Sequence, residues 1–246
     1  MKQIFSLVAS AIMFASLLVV SSCAPGSTKS EASNQEGSIS AQLQDLPTDD
    51  PLTLLKKGNQ RFVLNKTVNV NEDSIRVKEL IGGQNPLAVI VGCSDSRVSP
   101  ELLFDQGLGD LFVIRTAGNV MSDYDLGSVE YAAGHLHTKL VVVLGHYGCG
   151  AVNAMLDHCC DTHAHPVPGH IAAIVKTLAN QPEQKEVLAN KDDQQSDRAV
   201  VANVVHGVKK LRESDPILKE LYDAGKIQIV GAVYHIETGV VEYLPI

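Results

Sequence analysis

Residues 87–97 read LAVIVGCSDSR and residues 140–149 read LVVVLGHYGC. Each is a short apolar run, rich in β-branched residues, that ends in side chains able to bind a metal. Runs of this length and composition read as buried strands. They predict two neighbouring strands that deliver Cys93, His146 and Cys149 to one point. Two thiolates and one imidazole form a soft, three-ligand set that suits zinc. The fourth position is left to Asp95 or to a water. An open fourth position is what separates a catalytic zinc from a structural one.

Strand-like and helical patterns alternate outward from this pair. Strands are expected at 87–92, 111–115, 139–145 and 226–234, with a last one near 240–244. Helices are expected near 100–106, 124–136, 150–158, 168–181, 197–213 and 215–223. Residues 181–196 are polar and read as a surface loop or frayed helix. Upstream, Asp50-Pro51 reads as an N-cap followed by proline at the first helical position, and Leu52, Leu55 and Phe62 supply an apolar face for a helix to about Asn65. The fold class is therefore α/β, a mostly parallel β-sheet flanked by helices. Ligands in such sheets bind outside the carboxyl ends of the strands, where Cys93 and His146 fall.

The stretch CSDSRVSPELLFDQGLGDLFVIRTAGN at 93–119 and HYGCGAV at 146–152 resemble a β-class carbonic anhydrase. The similarity runs from about Asp50 to the C-terminus and takes in Gly231-Ala232-Val233-Tyr234 and Thr238-Gly239. Either motif alone is weakly specific; the two in this order and at this separation are highly specific. The resemblance implies one zinc per chain on Cys93, His146 and Cys149, with Asp95 as a fourth ligand in a closed state. It implies hydration of carbon dioxide to bicarbonate and a proton by zinc-bound hydroxide. It implies a homodimer or homotetramer in which the helix at 50–65 packs across a dimer. It also implies that Gln84, nine residues before Cys93 and expected at the start of that strand, donates a hydrogen bond to substrate across the interface. A turn residue in Gly82-Gly83-Gln84-Asn85-Pro86 is the competing reading. One family subgroup binds regulatory bicarbonate near a tryptophan three residues before the first zinc cysteine. That position is Ile90 here, and the chain has no tryptophan, so the resemblance does not extend to that site.

The residues themselves support a reactive centre. Zinc held by two thiolates and a neutral imidazole has a formal charge of zero. It should acidify water less than an all-histidine site, where the pKa is about 7, so hydroxide is expected in the neutral-to-alkaline range. Asp95 and Arg97 lie two apart, close enough for a bidentate pair that keeps Asp95 ionised and off the metal. Without its partner Asp95 could bind zinc and expel the water. The same two residues could form a simple loop salt bridge. Gly148 and Gly150 allow the backbone to turn closely around the metal, and Gly150 opens a helix whose N–H groups favour an anion, so it is a candidate for substrate binding. Val98, Leu103 and Phe104 suit either an apolar wall for carbon dioxide or ordinary core.

The 246-residue chain carries a net charge of −8 and no tryptophan, which argues against a nucleic-acid partner. Its N-terminus reads as a targeting segment. Lys2 precedes an apolar run from Ile4 to Val20, and Val20-Ser21-Ser22-Cys23 resembles a lipoprotein cleavage site. Residues 1–22 are then a signal peptide, Cys23 is lipidated, 23–48 form a flexible tether and 49–246 the folded domain. This places the protein in the cell envelope, lipid-anchored in the periplasm, with an outer-membrane destination favoured because Ala24 follows the cysteine. His158-Cys159-Cys160-Asp161-Thr162-His163-Ala164-His165 departs from the family pattern. It reads as a solvated loop, a disulfide or an accessory metal site. Three rival functions stand beside the leading one: hydrolysis of carbonyl sulfide or carbon disulfide on the same scaffold, a non-catalytic zinc-bound binding module, and a thiol redox protein. The redox reading lacks a C-x-x-C arrangement. A proton must also leave the site in each turnover, and His135, His137, His170, His206 and His235 are the candidates that sequence cannot separate.

Overall fold

The two runs that flank the metal-ligand motifs are adjacent strands. In the computed structural model, which describes residues 50–160 and 167–246, β1 (Ala88–Cys93) and β3 (Leu140–His146) pair in parallel with Val89 opposite Val141 and Gly92 opposite Leu144. β2 (Leu111–Thr116) flanks β1, and β4 (Gln228–Tyr234) flanks β3, both in parallel. The short β5 (Val241–Tyr243) closes the far edge antiparallel to β4. The strand order is β2-β1-β3-β4-β5. The expected α/β class and its mostly parallel sheet are therefore present.

Every residue of β1 and β3 is buried. A strand covered on both faces gains nothing from polar alternation, which is why these runs are continuously apolar. Their side chains still alternate between two cores. Val89, Val91, Val141 and Val143 point into one, under the helices α4 (Asp123–Glu130), α5 (Gly150–Cys160), α6 (Ile171–Ala179), α8 (Gln195–Arg212) and α9 (Ile217–Asp223). Ala88, Ile90, Val142 and Leu144 point into the other, under α1 (Pro51–Val63) and α3 (Pro100–Leu103). Ile90 is fully buried there, as are Val98 and Phe104, so the latter two belong to the core rather than to an open substrate wall.

The capping expected at Asp50 is present: its carboxylate accepts hydrogen bonds from the Thr53 backbone N–H at 2.9 Å and from Thr53 Oγ1 at 2.7 Å. Within its own chain α1 lies on the sheet through Leu52, Leu55 and Phe62. Buried Asn59 ties it down, donating to the carbonyls of Leu103 and Gly239 and accepting from the Val241 N–H.

Some expectations need correction. The helix expected at 100–106 spans only Pro100–Leu103, and Asp105 adopts a left-handed backbone (φ 48°) that ends it. A short α2 (Ser74–Glu79) was not expected; the Asp73 side chain caps it by accepting from the N–H groups of Ile75 and Arg76. The polar 181–196 segment contains α7 (Gln184–Ala189). Gln184 is buried and donates to the Ala199 carbonyl, so an amide that reads as loop chemistry serves helix packing instead. Gln84 is not at the start of β1, because the strand begins four residues later and Gln84 sits in the exposed loop before it. The signal and tether at 1–48 lie outside the described residues, as do residues 161–166 of the Cys/His-rich segment. Among the described residues no helix is long and apolar enough to cross a membrane.

Candidate metal centre

The register brings the ligands together. Gly92 faces Leu144, so Cys93 lies one residue and His146 two residues past a paired rung, both at carboxyl strand ends. Cys149 follows three residues later. Between them Gly148 takes φ +66°, a left-handed conformation that strains any other residue and turns the chain back toward the strand end. Gly150 has no such requirement: a side chain there would meet nothing within 4 Å. It is exposed and forms the first residue of α5.

The sulfurs of Cys93 and Cys149 and a ring nitrogen of His146 lie within 4.8 Å of one another, and all three residues are buried. This span matches ligands about 2.0–2.3 Å from one zinc ion. His146 Nδ1 lies 3.0 Å from the Tyr147 carbonyl oxygen, to which it donates, so Nε2 carries the lone pair. Nε2 is buried with no hydrogen-bond partner. A polar atom in that condition is costly unless it serves a ligand. An orphaned lone pair aimed at two thiols fits a bound zinc.

The thiols share a proton between themselves. The hydrogen bond from Cys149 holds Cys93 far below the ordinary thiol range, and the same bond together with burial pushes Cys149 up. Metal binding requires both as thiolates and so releases that proton. The Gly118 backbone N–H donates to Cys93 Sγ at 3.2 Å and helps stabilise the thiolate. Gly118 (φ +68°) is held from behind by Asn203 on α8, which donates to its carbonyl at 2.8 Å. Arg115 donates to the carbonyls of Cys93 and Asp95, clamping the turn between ligand and carboxylate.

Asp95 is engaged by Arg97 through three bonds. Arg97 Nε donates to Oδ1 at 2.9 Å, a guanidinium nitrogen to Oδ2 at 2.7 Å, and the Arg97 backbone N–H to Oδ1 at 2.9 Å. Oδ2 nevertheless lies only 3.8 Å from His146 Nε2. The carboxylate therefore stands at the edge of the ligand set, held by the guanidinium. The Arg97 hydrogen bonds keep its carboxyl well below the usual carboxylate range. A depressed pKa means that the pair is fully formed above the ordinary carboxylate titration and is lost only as pH falls through the lower, folded value. Mild acid does not break it.

Gln84 is not brought to this site within its own chain. It precedes the amino end of β1, whereas Cys93 closes the carboxyl end, and a six-residue strand spans roughly 17 Å. The roles of Gly118, Arg115 and Asn203 were not read from sequence. The first two lie inside the motif-bearing stretch, where their chemistry could have raised the question; nothing local marks Asn203.

The family described as carbonic anhydrase matches residues 88–241. Carbonic anhydrase 2 from Mycobacterium tuberculosis is 38% identical over 200 residues, covering 79% of this chain and 93% of that protein. Among solved structures, the Coccomyxa β-carbonic anhydrase in complex with acetazolamide superposes with a TM-score of 0.61 at 30% identity, covering 76% of this chain and 83% of that one. A structure from work on two tetrameric β-carbonic anhydrases of Sordaria macrospora gives a TM-score of 0.58 at 26% identity, covering 69% and 86%.

Proposed function

The chain belongs to the β-class carbonic anhydrase family and catalyses the zinc-dependent, reversible hydration of carbon dioxide, and we propose that the Asp95–Arg97 pair keeps its metal open to water. The observation that carries this reading is the position of Asp95, within 3.8 Å of a ligating nitrogen yet bonded to a guanidinium. Cys93, His146 and Cys149 would hold the zinc, which when bound would supply a water acidified enough to act as a nucleophile. The rest is the work of the chain. Asp95, kept ionised by Arg97, accepts a hydrogen bond from the attacking water and orients its lone pair toward substrate. Gly150, at the N-terminus of α5, offers backbone N–H character to the bicarbonate that forms. A permanently closed binding module would not need Arg97 to draw away a fourth ligand. The relatives found are carbonic anhydrases, which leaves hydrolysis of carbonyl sulfide or carbon disulfide without support.

The protein acts as at least a dimer in this reading, with Gln84 facing a neighbour's zinc site. Its distance from its own site supports that arrangement, as does the tetrameric state named for the Sordaria proteins. Purified enzyme is expected to contain one zinc per chain, to hydrate carbon dioxide, and to sediment as a dimer or tetramer. A zinc-loaded protein inert toward carbon dioxide would overturn the function. A fully active monomer at micromolar concentration would overturn the role of Gln84.

The N-terminal reading remains a proposal for the whole protein: residues 1–22 direct export, Cys23 is lipid-modified, 23–48 form a tether and 49–246 the enzyme domain. The enzyme then stands in the periplasm on a lipid anchor, with the outer membrane favoured. One acyl chain binds membranes only marginally, so a di- or triacylated Cys23 is expected. Mass spectrometry of the native N-terminus should find it, with the protein in the membrane fraction and a chain starting near Ala41 soluble and active. An unmodified Cys23 would refute the anchor.

A further inference from the structure

Hydration of carbon dioxide by water yields bicarbonate and one proton, and that proton must reach solvent before the next turnover. We propose that His235 receives it. The proposal rests on the carbonic anhydrase activity above and adds the route by which its proton leaves.

Arg97 of the dyad and Gly148 of the ligand turn form part of the wall of a cavity of about 490 Å³. Tyr147, Asp197, His235 and Glu237 line the same space. His235 immediately follows Tyr234, the residue paired with the ligand His146 across the β3–β4 ladder. Its ring meets Tyr147 edge-on, with centroids 4.7 Å apart. It is therefore placed next to the metal turn without belonging to the ligand set. A larger cavity of about 670 Å³ beyond Tyr147 shares only Tyr147 and Asp197 with this one and includes none of the dyad or ligand residues.

The other described histidines are placed elsewhere. His135 stacks on Tyr131, and His206 is hydrogen-bonded to Glu183 at 2.8 Å. His137, His158 and His170 do not line the cavity. Among the described residues His235 is the non-ligand histidine that shares a cavity with Arg97.

Its surroundings suit the task. The side chain is 35% exposed, so it can exchange with solvent. Nε2 lies 3.0 Å from Glu242 Oε2, which leaves Nδ1 as the nitrogen that takes up a proton from cavity water. Protonation gives an imidazolium paired with the Glu242 carboxylate. The proton then passes to external buffer and the neutral ring returns. Charged and titratable groups come from each neighbouring element: Glu242 on β5, Asp197 on α8, Glu237 in the turn after β4, Tyr147 after β3 and Arg97 after β1. Three carboxylates against one guanidinium surround the ring that carries the transient cation.

The test separates kcat from kcat/KM. Proton export limits kcat when buffer is dilute but does not enter kcat/KM for carbon dioxide. In the zinc-loaded full chain, His235→Ala should lower kcat in dilute buffer by about tenfold or more, leave kcat/KM near wild type, and recover kcat when imidazole is added. Glu242→Gln, which removes the carboxylate paired with the ring, should lower kcat in dilute buffer by less than His235→Ala, leave kcat/KM near wild type and be repaired by imidazole. An unchanged kcat for His235→Ala in dilute buffer overturns the proposal. So does an equal fall in kcat and kcat/KM that imidazole does not repair, since that pattern marks a structural role. Wild-type enzyme without hydration activity would instead remove the underlying function.

Discussion

Cys149→Ser is expected to strip zinc from the protein and to abolish hydration. Cys149 is buried beside Cys93, and their two sulfurs, with His146 nitrogen, supply all three ligand atoms that converge. Serine keeps the size of the side chain but offers a neutral hydroxyl in place of a thiolate, a far poorer ligand for a soft site. Altering even outer-shell partners costs ten- to a hundredfold in metal affinity, so losing a ligand should cost more than about a hundredfold. Chelator competition measures the affinity, and metal analysis after dialysis measures the occupancy. The sheet should persist, because Cys149 lies in the turn after β3 rather than within it. A folded Cys149→Ser protein with one zinc per chain and full activity would remove this ligand set.

Arg97→Ala is expected to give the opposite dissociation: zinc retained, activity lost. Arg97 reaches no ligand atom itself; its bonds go to Asp95 and, at 3.4 Å, to the Gly148 carbonyl. Without the guanidinium, Asp95 loses two side-chain hydrogen bonds and the positive charge that fixes its carboxylate. Oδ2 is already 3.8 Å from His146 Nε2, so a small rotation would let Asp95 join Cys93, His146 and Cys149 as a fourth ligand in place of water. A fall in kcat on the order of a hundredfold is expected, since the site loses both its open position and an oriented proton acceptor. Arg97→Lys keeps the charge but not the fork, and should fall between the two. A crystal structure of zinc-loaded Arg97→Ala reports the ligand change, a carboxylate oxygen of Asp95 standing where water would otherwise bind. Zinc that keeps its water in Arg97→Ala, with Asp95 off the metal, would contradict the account.

Much of this centre was legible before any coordinates. The apolar runs at 87–92 and 139–145 carry their own evidence for strands, because a strand covered on both faces has to be apolar throughout. Cys93, His146 and Cys149 fall at the ends of those runs, and the two-residue spacing of Asp95 and Arg97 lets them pair within one turn. These are local features, and local features are what a linear pattern records. Helix ends were less legible. Asp105 stops α3 through a left-handed backbone, and Gln184 joins α7 to α8 from a segment whose polarity suggested a loop.

The tertiary structure decided what depends on partners far apart in the chain. Gly118 reaches Cys93 across 25 residues, and Asn203 supports Gly118 across 85. Neither separation has a period that sequence could display, since both follow from strand order and from how α8 lies on the sheet. The same holds for His235. Nothing in its neighbours marks it out from four other candidate histidines, and only the β3–β4 pairing sets it beside Tyr147 and the cavity under Arg97. Sequence by itself determined which atoms could hold the metal, because ligand chemistry belongs to residue types at strand ends. The fold decided which N–H group stabilises the thiolate, which arginine clamps the turn between Cys93 and Asp95, and which non-ligand histidine shares a cavity with Arg97, because those choices are made by packing.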